Sequence, residues 1–352
     1  MNNEKKYDAI LLAGEGKSSY KVHHQNKAFL TINGACLIHY IVETLQKVES
    51  IQDIYVVGPK EKLQQALLSG RIDLKSPKRI HIVEQKTTLY QNIWHTFLQS
   101  LQDENAEAPN TKSHRDRAVL IVPCDAPLMT PQEVEYFISH ADMEKYDLVS
   151  GLVSREKLQH FYPQKKTLGI KMAYIHFKEA SFRINNLHMV KPLCIENREY
   201  IQKMYQYRYQ RNFKNLILFS LSLFGKDKLR HYKCYIGLQL CLFFANLGLD
   251  SLVDYFRNLN PRKELEKTIS TIMKTRFKTL EVPYPGAALD IDNAKDYDAM
   301  KIQFYEWWKY LQEYKESLPV ATSHIEVSPA ARTEKVARPS PTPLSTSSEH
   351  EG

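Results

Sequence analysis

The chain has 352 residues, of which 43% are hydrophobic and 25% are charged. This composition supports an ordinary buried core, and the length fits one large domain with an inserted segment and a tail. The net charge of +8 favours anionic partners such as nucleotides, phosphates or an anionic membrane surface. No basic block with interleaved aromatic residues occurs, which argues against nucleic acid as a partner.

The N-terminal segment and the cysteines both indicate a cytoplasmic protein. The first apolar run is too short for the core of a signal peptide, and Gly14 interrupts it. The five cysteines are scattered, and none forms a CxxC pair or a zinc-binding spacing with histidine. We therefore expect free thiols in a reducing compartment.

Short apolar strands alternate with amphipathic helices over the first half of the chain. The pattern predicts strands at residues 9–12, 53–58, 79–83, 118–122 and 147–153, and helices at 37–48, 61–69 and 89–101. A further helix begins at Pro131, with Thr130 and Glu133 as a capping box. Such alternation implies right-handed crossovers and a mostly parallel sheet, with ligands at the carboxyl ends of the strands.

The second half of the chain is less regular. The pattern predicts short strands at 168–176, 183–190 and 288–293, and helices at 198–211 and 295–314. Two apolar segments, 216–224 and 234–249, are shorter than a membrane-spanning helix. We interpret them as packed helices of an insert, with a weak interfacial contact to an anionic membrane as the alternative.

These patterns predict the domain organisation. Residues 1–318 form one domain, which includes a helical insert over residues 155–285. The Ser-, Thr- and Pro-rich segment over residues 319–352 is predicted to be a disordered tail.

A glycine-bearing turn, Gly14-Glu15-Gly16, follows the first strand, and a polar, basic loop leads from it to Lys27. Backbone N–H groups of such a turn can approach a phosphate, and the lysine can return to the same phosphates as a point charge. Many α/β proteins turn at glycines with no ligand, and the pattern is neither a Walker loop nor GxGxxG. The combination of strand, turn, loop and lysine nevertheless indicates the nucleotide end of a site.

Acidic residues stand at two further places. Asp125 follows the strand 118–122 and is held between two prolines, while Asp290 and Asp292 precede the last predicted helix. Magnesium prefers one or two carboxylates together with substrate phosphates. Asp125, Asp290 and Asp292 are therefore candidate ligands. The alternatives are a turn-forming role for Asp125 and a helix-capping role for Asp290 and Asp292.

Three separated stretches resemble the nucleotidyltransferases of the GT-A-like fold, which include the MobA-like NTP transferases and the sugar-nucleotide pyrophosphorylases. The stretches are LLAG with NKAFL at 11–14 and 26–30, VPCDAPL at 122–128, and DIDNAKDY at 290–297. The resemblance implies a Rossmann-like, three-layer α/β/α fold with a mostly parallel central sheet. It also implies a Mg²⁺-dependent enzyme that transfers NMP from an NTP to a phosphorylated sugar, polyol or cofactor and releases pyrophosphate.

The resemblance assigns a role to each candidate residue. Lys27 and Asp125 are the catalytic residues, and Asp125 and Asp292 hold Mg²⁺. Asp290 is the second choice, because Asp292 occupies the metal-side position of the family. The nucleotide-binding residues are Leu12, Ala13, Gly14, Gly16, Lys17, Lys27, Thr88 and Asn92. The insert over residues 155–285 forms much of the acceptor pocket, with Asn185 and Asn186 as the acceptor-binding residues. For these two residues, buried turn asparagines are the alternative. For Thr88 and Asn92 the alternatives are a helix N-cap and a surface asparagine.

The glycine turn departs from the family pattern. Glu15, Lys17 and Ser19 stand where the family has two glycines and an arginine. A carboxylate beside a triphosphate is repulsive, and a lysine lacks the bidentate fork of an arginine. Two alternatives therefore stay open: a nucleotide-binding, regulatory homologue with impaired catalysis, and a membrane-surface transferase that acts on a lipid-linked acceptor.

Overall fold

An eight-stranded sheet lies at the centre of this computed structural model, which describes residues 5–15, 21–69, 72, 76–101, 113–198 and 229–317. Its strands are β1 (Tyr7–Leu12), β4 (Ile51–Gly58), β5 (Ile80–Glu84), β6 (Val119–Pro123), β7 (Leu148–Ser154), β8 (Ile175–His176), β9 (Ser181–Val190) and β10 (Phe277–Glu281). The spatial order is β10-β7-β9-β6-β1-β4-β5, and β8 pairs with β9. The strand β9 runs antiparallel to its neighbours, whereas the other pairs in the sheet are parallel.

Helices cover both faces of the sheet. They are α1 (Leu37–Gln46), α2 (Lys60–Leu68), α3 (Leu89–Ser100), α4 (Pro131–His140), α5 (Arg155–Leu158), α6 (Leu229–Asn246), α7 (Asp250–Phe256), α8 (Arg262–Met273) and α9 (Ala294–Ser317). Successive side chains of β1 point to opposite faces. Ala9 and Leu11 pack with α1, α4 and α9, while Ile10 packs with α3 and α8. The predicted three-layer α/β/α fold with a mostly parallel sheet is confirmed.

The central strands follow directly from their sequences. Strands β4 and β6 are nearly continuous runs of aliphatic residues, the pattern of a parallel strand buried on both faces. In the register of the sheet, Leu12 of β1 lies beside Val57 of β4 and Pro123 of β6. The carboxyl ends of the three strands therefore meet at one edge, where the loops after β1 and β6 face each other.

A small hairpin follows the first strand and orients the segment around Lys27. Its strands are β2 (Thr31–Ile32) and β3 (Ala35–Cys36), and they are joined by Asn33 and Gly34. Both turn residues have positive φ, 49° and 77°. An Asn-Gly pair favours this type of two-residue turn, because glycine and asparagine tolerate the left-handed region.

Several predicted elements differ from those of the structure. Residues 168–174 form no strand, and β8 covers only Ile175–His176. The predicted strand at 288–293 is instead the end of a 3₁₀ turn, Gly286–Ala288, followed by irregular chain. That chain joins no ladder because its backbone bonds to the loop after β6, where Ile291 N donates to Asp125 O at 3.0 Å.

The segment 155–285, predicted as a helical insert, contains helices α5 to α8 but also contributes β8, β9 and β10 to the central sheet. The predicted helix at 198–211, the apolar segment 216–224 and the tail after residue 318 lie almost entirely outside the described residues. The predicted domain boundaries stay predictions. In the described ranges, no helix combines the length and the apolar character needed to cross a membrane. All five cysteines are free thiols, as expected.

Candidate active site

Lys27 opens a 3₁₀ turn, Lys27–Phe29, that Asn26 caps. The Asn26 Oδ1 atom accepts a hydrogen bond from Ala28 N at 3.0 Å, and its Nδ2 donates to Ala13 O at 2.9 Å. Because Ala13 directly follows β1, Asn26 fastens the lysine to the carboxyl end of the first strand. Sequence reasoning did not select Asn26, although an asparagine at the start of a helical turn is a capping signal.

The Lys27 ammonium group faces two carboxylates from distant parts of the chain. Its Nζ lies 2.8 Å from Asp125 Oδ2 and 3.5 Å from Asp292 Oδ1. The side chains of Lys27 and Asp125 are each 14% exposed, and that of Asp292 is 43% exposed. Burial disfavours the lysine charge, but the charge and hydrogen bond of Asp125 outweigh it and raise the pKa of Lys27. Lys27 therefore stays cationic at neutral pH.

Three carboxylates form a compact cluster beside this lysine. One oxygen each of Asp125, Asp290 and Asp292 lies within 4.8 Å of the others. The hydrogen bond from Ile291 N to Asp125 O holds the two acidic segments together. Carboxylate oxygens at this spacing are the hard donors that Mg²⁺ prefers, so the residues fit the predicted metal. Asp290, the second choice from the sequence, belongs to the cluster together with the two predicted ligands.

Arg183 of β9 adds a second cation. Its Nη2 lies 2.6 Å from Asp290 Oδ1 and 3.8 Å from Asp292 Oδ2, and its Nε donates to Ala288 O at 2.9 Å. Burial works against the guanidinium charge, but Asp290 raises the pKa of Arg183. Two cations and three carboxylates leave a formal charge of −1, which favours a bound cation. Sequence reasoning missed this role, although a charged residue in a buried strand is its signal.

The capping alternative for the acidic cluster does not hold. Asn293, rather than Asp290 or Asp292, caps α9, since the Asn293 Oδ1 accepts from Asp296 N at 3.1 Å. The Asp296 carboxylate in turn accepts a hydrogen bond from Asn293 Nδ2 at 2.7 Å. Thr130 caps α4, since its Oγ1 accepts from Glu133 N at 3.3 Å, and Glu133 Oε2 accepts from Ala287 N at 2.8 Å. Glu133 thereby fastens the turn that leads to the acidic cluster.

The glycine turn after β1 is braced by side chains. A Cβ atom on Gly14 would lie 3.0 Å from Asn92 Nδ2 and 3.2 Å from Gln85 Oε1, so glycine permits this close packing. Glu15 N donates to Gln85 Oε1 at 2.6 Å, and Ala13 N donates to Val57 O at 2.8 Å. These two N–H groups, predicted to seat the nucleotide, therefore already have protein partners. Gly16 and Lys17 lie outside the described residues.

Glu15, the departure from the family pattern, has a cationic neighbour. Lys62 Nζ of α2 lies 3.0 Å from one carboxylate oxygen of Glu15 and 3.3 Å from the other. The Glu15 side chain is 19% exposed and that of Lys62 is 60% exposed. The lysine therefore offsets part of the negative charge at the turn, in a solvent-screened position.

Thr88 and Asn92 lie on the opposite wall, at the start of α3. Thr88 caps this helix, as its Oγ1 accepts from Gln91 N at 3.2 Å. Asn92 is only 7% exposed, and its Oδ1 accepts from Lys86 N at 2.5 Å. Asn92 is therefore a bracing residue of the wall, and not the surface asparagine of the alternative interpretation.

A cavity of about 500 Å³ brings the predicted groups together. It is lined by Leu12, Gly14, Lys27, Thr88, Asn92, Asp125, Asn186, Asp290 and Asp292, among other residues. Asn186 of β9 faces the cavity and donates from Nδ2 to Ala287 O at 3.1 Å. Asn185 is fully buried behind the strand, and its Oδ1 accepts from Leu187 N at 3.3 Å. Of the two predicted acceptor residues, only Asn186 borders the cavity.

The fold and the cleft together define a class of protein. At the carboxyl ends of β1 and β6, the mostly parallel sheet carries a lysine opposed to a carboxylate cluster, the arrangement that the resemblance to the nucleotidyltransferases implies. A sequence model of the MobA-like NTP transferase domain matches residues 9–218. The chain belongs to the MobA-like NTP transferase family, and the resemblance recognised in the sequence is confirmed.

Solved structures extend the comparison. A hypothetical transferase from Thermus thermophilus has a TM-score of 0.55 at 18% identity, with coverage of 83% of this chain and 99% of its own. This likeness shows the shared fold. The 4-diphosphocytidyl-2C-methyl-D-erythritol synthase from Anaerococcus prevotii has a TM-score of 0.40 at 12% identity, with coverage of 86% and 97%. A CMP:2-keto-3-deoxy-manno-octonic acid synthetase complexed with CTP has a TM-score of 0.41 at 13% identity, with coverage of 86% and 100%. No curated protein matches the sequence.

Proposed function

We propose that the protein is a Mg²⁺-dependent nucleotidyltransferase that transfers NMP from an NTP to a phosphorylated acceptor and releases pyrophosphate. The observation that carries the proposal is the pairing of Lys27 Nζ with Asp125 at 2.8 Å in a cavity that also contains Asp290 and Asp292. Membership of the MobA-like NTP transferase family supports the same reaction class.

Each residue of the site has its own role in the proposed reaction. Lys27 neutralises charge that develops on the phosphates, because it stays protonated and lies at the junction of the loops after β1 and β6. Leu12, Gly14, Thr88 and Asn92 form the nucleotide end of the cavity, and Asn186 forms part of the acceptor end. Such a site contributes mainly position and charge neutralisation, since phosphoryl chemistry needs little covalent help from the protein.

The carboxylates of Asp125 and Asp292 would hold Mg²⁺, with Asp290 beside them. When bound, the ion supplies positive charge that binds the phosphates and stabilises their transition state. Arg183 keeps Asp290 and the cluster in place through its ion pair at 2.6 Å. A phosphate oxygen of the acceptor attacks the α-phosphorus in line, and the bond from that phosphorus to the bridging oxygen of pyrophosphate breaks.

Release of pyrophosphate tests this proposal. The wild-type protein is incubated with each NTP and Mg²⁺, across a panel of sugar, polyol and alkyl phosphates. We expect release with at least one pair and a loss of at least a hundredfold in Lys27→Ala. The matched control is Lys47→Ala, which removes an exposed lysine directly after α1 and should retain full activity. Absence of both NTP binding and turnover, or full turnover in Lys27→Ala, would refute the proposal.

A nucleotide-binding homologue without turnover is the second candidate. The observation that favours it is the hydrogen bond from Glu15 N to Gln85 Oε1 at 2.6 Å, which occupies a donor at the turn that would meet the phosphates. The Glu15 carboxylate beside it adds repulsion that Lys62 offsets only in part. This candidate predicts NTP binding with no pyrophosphate release on any acceptor, so sustained turnover excludes it.

A further inference from the structure

The cavity at the proposed site continues along the face of the sheet that α3 and α8 cover. Beyond the carboxylates, its lining is formed mainly by large apolar side chains: Trp94 of α3, Ile121 of β6, Leu148 of β7, Ile184 of β9, and Leu265 and Ile269 of α8. Several of these residues are only half-buried, and Ile184 is 43% exposed. An apolar wall of this size that is open to a ligand site indicates an apolar ligand group.

The hydroxyl and imidazole groups of Ser150, Thr279 and His188 on this wall are already paired with protein atoms. Ser150 Oγ lies 2.9 Å from His188 Nδ1, and Thr279 Oγ1 bonds to Arg262 Nε at 2.6 Å. Burial lowers the pKa of His188 to about 4, so this histidine adds no charge to the wall at neutral pH. The hydroxyl groups of a sugar placed against these paired groups and the aliphatic side chains would lose water without gaining partners, which costs binding free energy.

Arg198, the cation at the far end of the wall, stacks on Trp94, while its buried Nη1 has no hydrogen-bond partner among the described residues. The guanidinium carbon of Arg198 lies 4.0 Å from the centre of the Trp94 ring, close enough for a cation–π contact. The apolar part of the cavity lies between Arg198 and the carboxylate end and is formed mainly by aliphatic side chains. This part suits a hydrocarbon chain better than a second phosphate-bearing group, because aliphatic side chains offer neither hydrogen bonds nor charge.

The geometry points to an acceptor that is a phosphate monoester of a long-chain aliphatic or isoprenoid alcohol. Its phosphate lies at Lys27 and its hydrocarbon chain lies between the sheet and helices α3 and α8. This inference rests on the proposed function and names the acceptor class. In the transfer, the phosphate dianion forms one P–O bond to the NTP α-phosphorus while pyrophosphate leaves with the bonding electrons. The product is a nucleoside diphosphate ester of the alcohol.

A chain-length series tests the inference. The probes are ethyl, butyl, hexyl and octyl phosphate, all below their micelle concentrations, with glucose 1-phosphate as the polar comparison. Binding is measured by calorimetry and turnover by pyrophosphate release. We expect affinity to rise by up to about fourfold for each buried methylene, so octyl phosphate should bind at least a hundredfold more tightly than ethyl phosphate. Octyl glucoside, which has the chain but no phosphate, should not compete at equal concentration.

Matched variants test where the hydrocarbon chain of the ligand binds. Ile269→Asn should weaken octyl phosphate at least tenfold while leaving ethyl phosphate within twofold, and Ile302→Asn, a 65%-exposed isoleucine on α9, should change neither. Ile184→Asn, in the lining of the cavity, is the second variant and should weaken octyl phosphate in the same way, because its side chain is already 43% exposed and contributes little to the folded core. A flat chain-length series, or equal octyl phosphate affinity in all variants, overturns the inference.

The outcomes separate this inference from the proposed function. Tight binding of octyl phosphate without pyrophosphate release from any NTP supports the apolar site and rejects the transferase. Turnover of glucose 1-phosphate with no gain from an alkyl chain supports the transferase and rejects the apolar acceptor. The source of the acceptor is tested by presenting a long-chain phosphate either as monomer or in neutral vesicles. Faster turnover from vesicles identifies a membrane lipid as the source.

Discussion

Replacement of Lys27 by methionine removes the charge of the proposed site while keeping the length of the side chain. Lys27 and Asp125 are each 14% exposed and lie 2.8 Å apart, so the substitution leaves a largely buried carboxylate without its main counter-ion. Loss of one partner of a buried ion pair costs about 3–5 kcal/mol of unfolding free energy. The lower end, about 3 kcal/mol, applies here because Asp125 borders a solvent-accessible cavity and can take up a proton.

Urea unfolding at pH 7.5 measures this cost. The control is Lys47→Met, which breaks an exposed pair with Glu43 whose partners are 61% and 44% exposed, and it should cost at most about 1 kcal/mol. Combining Lys27→Met with Asp125→Asn should recover much of the lost stability, since neither charge then remains alone. A cost for Lys27→Met equal to that of the control, or no recovery in the double variant, would refute the reasoning.

Three further predictions follow from the packing around the site. The pKa of His188 is lowered to about 4 in the folded protein, against about 6.5 in the unfolded chain, so the unfolded chain binds the proton first as the pH falls. The free energy of unfolding should therefore fall by about 2 kcal/mol between pH 7.5 and pH 5. Urea titrations of His188→Gln should lack this loss. Gly151→Ala would place a Cβ 1.9 Å from Asn185 Oδ1, and this overpacking should lower the free energy of thermal unfolding by about 1–3 kcal/mol. An unchanged unfolding midpoint would contradict the observed packing. Asn26→Ala removes two hydrogen bonds that position Lys27. It should raise the KM for NTP and lower the free energy of unfolding, measured in urea, by about 1–2 kcal/mol. An unchanged KM would show that the cap is dispensable.

The sheet and most of its helices could be predicted from the sequence because their signals are local. Aliphatic runs such as β6 and the amphipathic spacing of α1 specify burial without knowledge of any partner. The segment 288–293 misled the prediction because its alternating apolar residues resemble a strand. Its conformation is decided by a contact 166 residues away in sequence, the hydrogen bond from Ile291 N to Asp125 O, which no local pattern contains.

The site was predictable to the extent that its residues follow strands. Lys27 and Asp125 stand after β1 and β6, and parallel neighbours bring such positions together. Arg183 was missed as a charge partner because β9 runs antiparallel, so its ends could not be placed relative to the others. The burial of Asn185 depends on a register shift between β7 and β9, which follows from tertiary packing rather than from sequence spacing.

The central claim is that Lys27 and the carboxylate cluster form a site for a magnesium-bound nucleoside triphosphate. The most direct test is a calorimetric titration of each NTP, with Mg²⁺ and with EDTA, into the wild type, Asp125→Asn and Asp298→Asn. Asp298 is an exposed aspartate on α9 and serves as the control position. We predict that at least one NTP binds only with Mg²⁺, that Asp125→Asn weakens this binding at least tenfold, and that Asp298→Asn leaves it unchanged. Equal NTP affinity in all three proteins, with and without Mg²⁺, would contradict the claim.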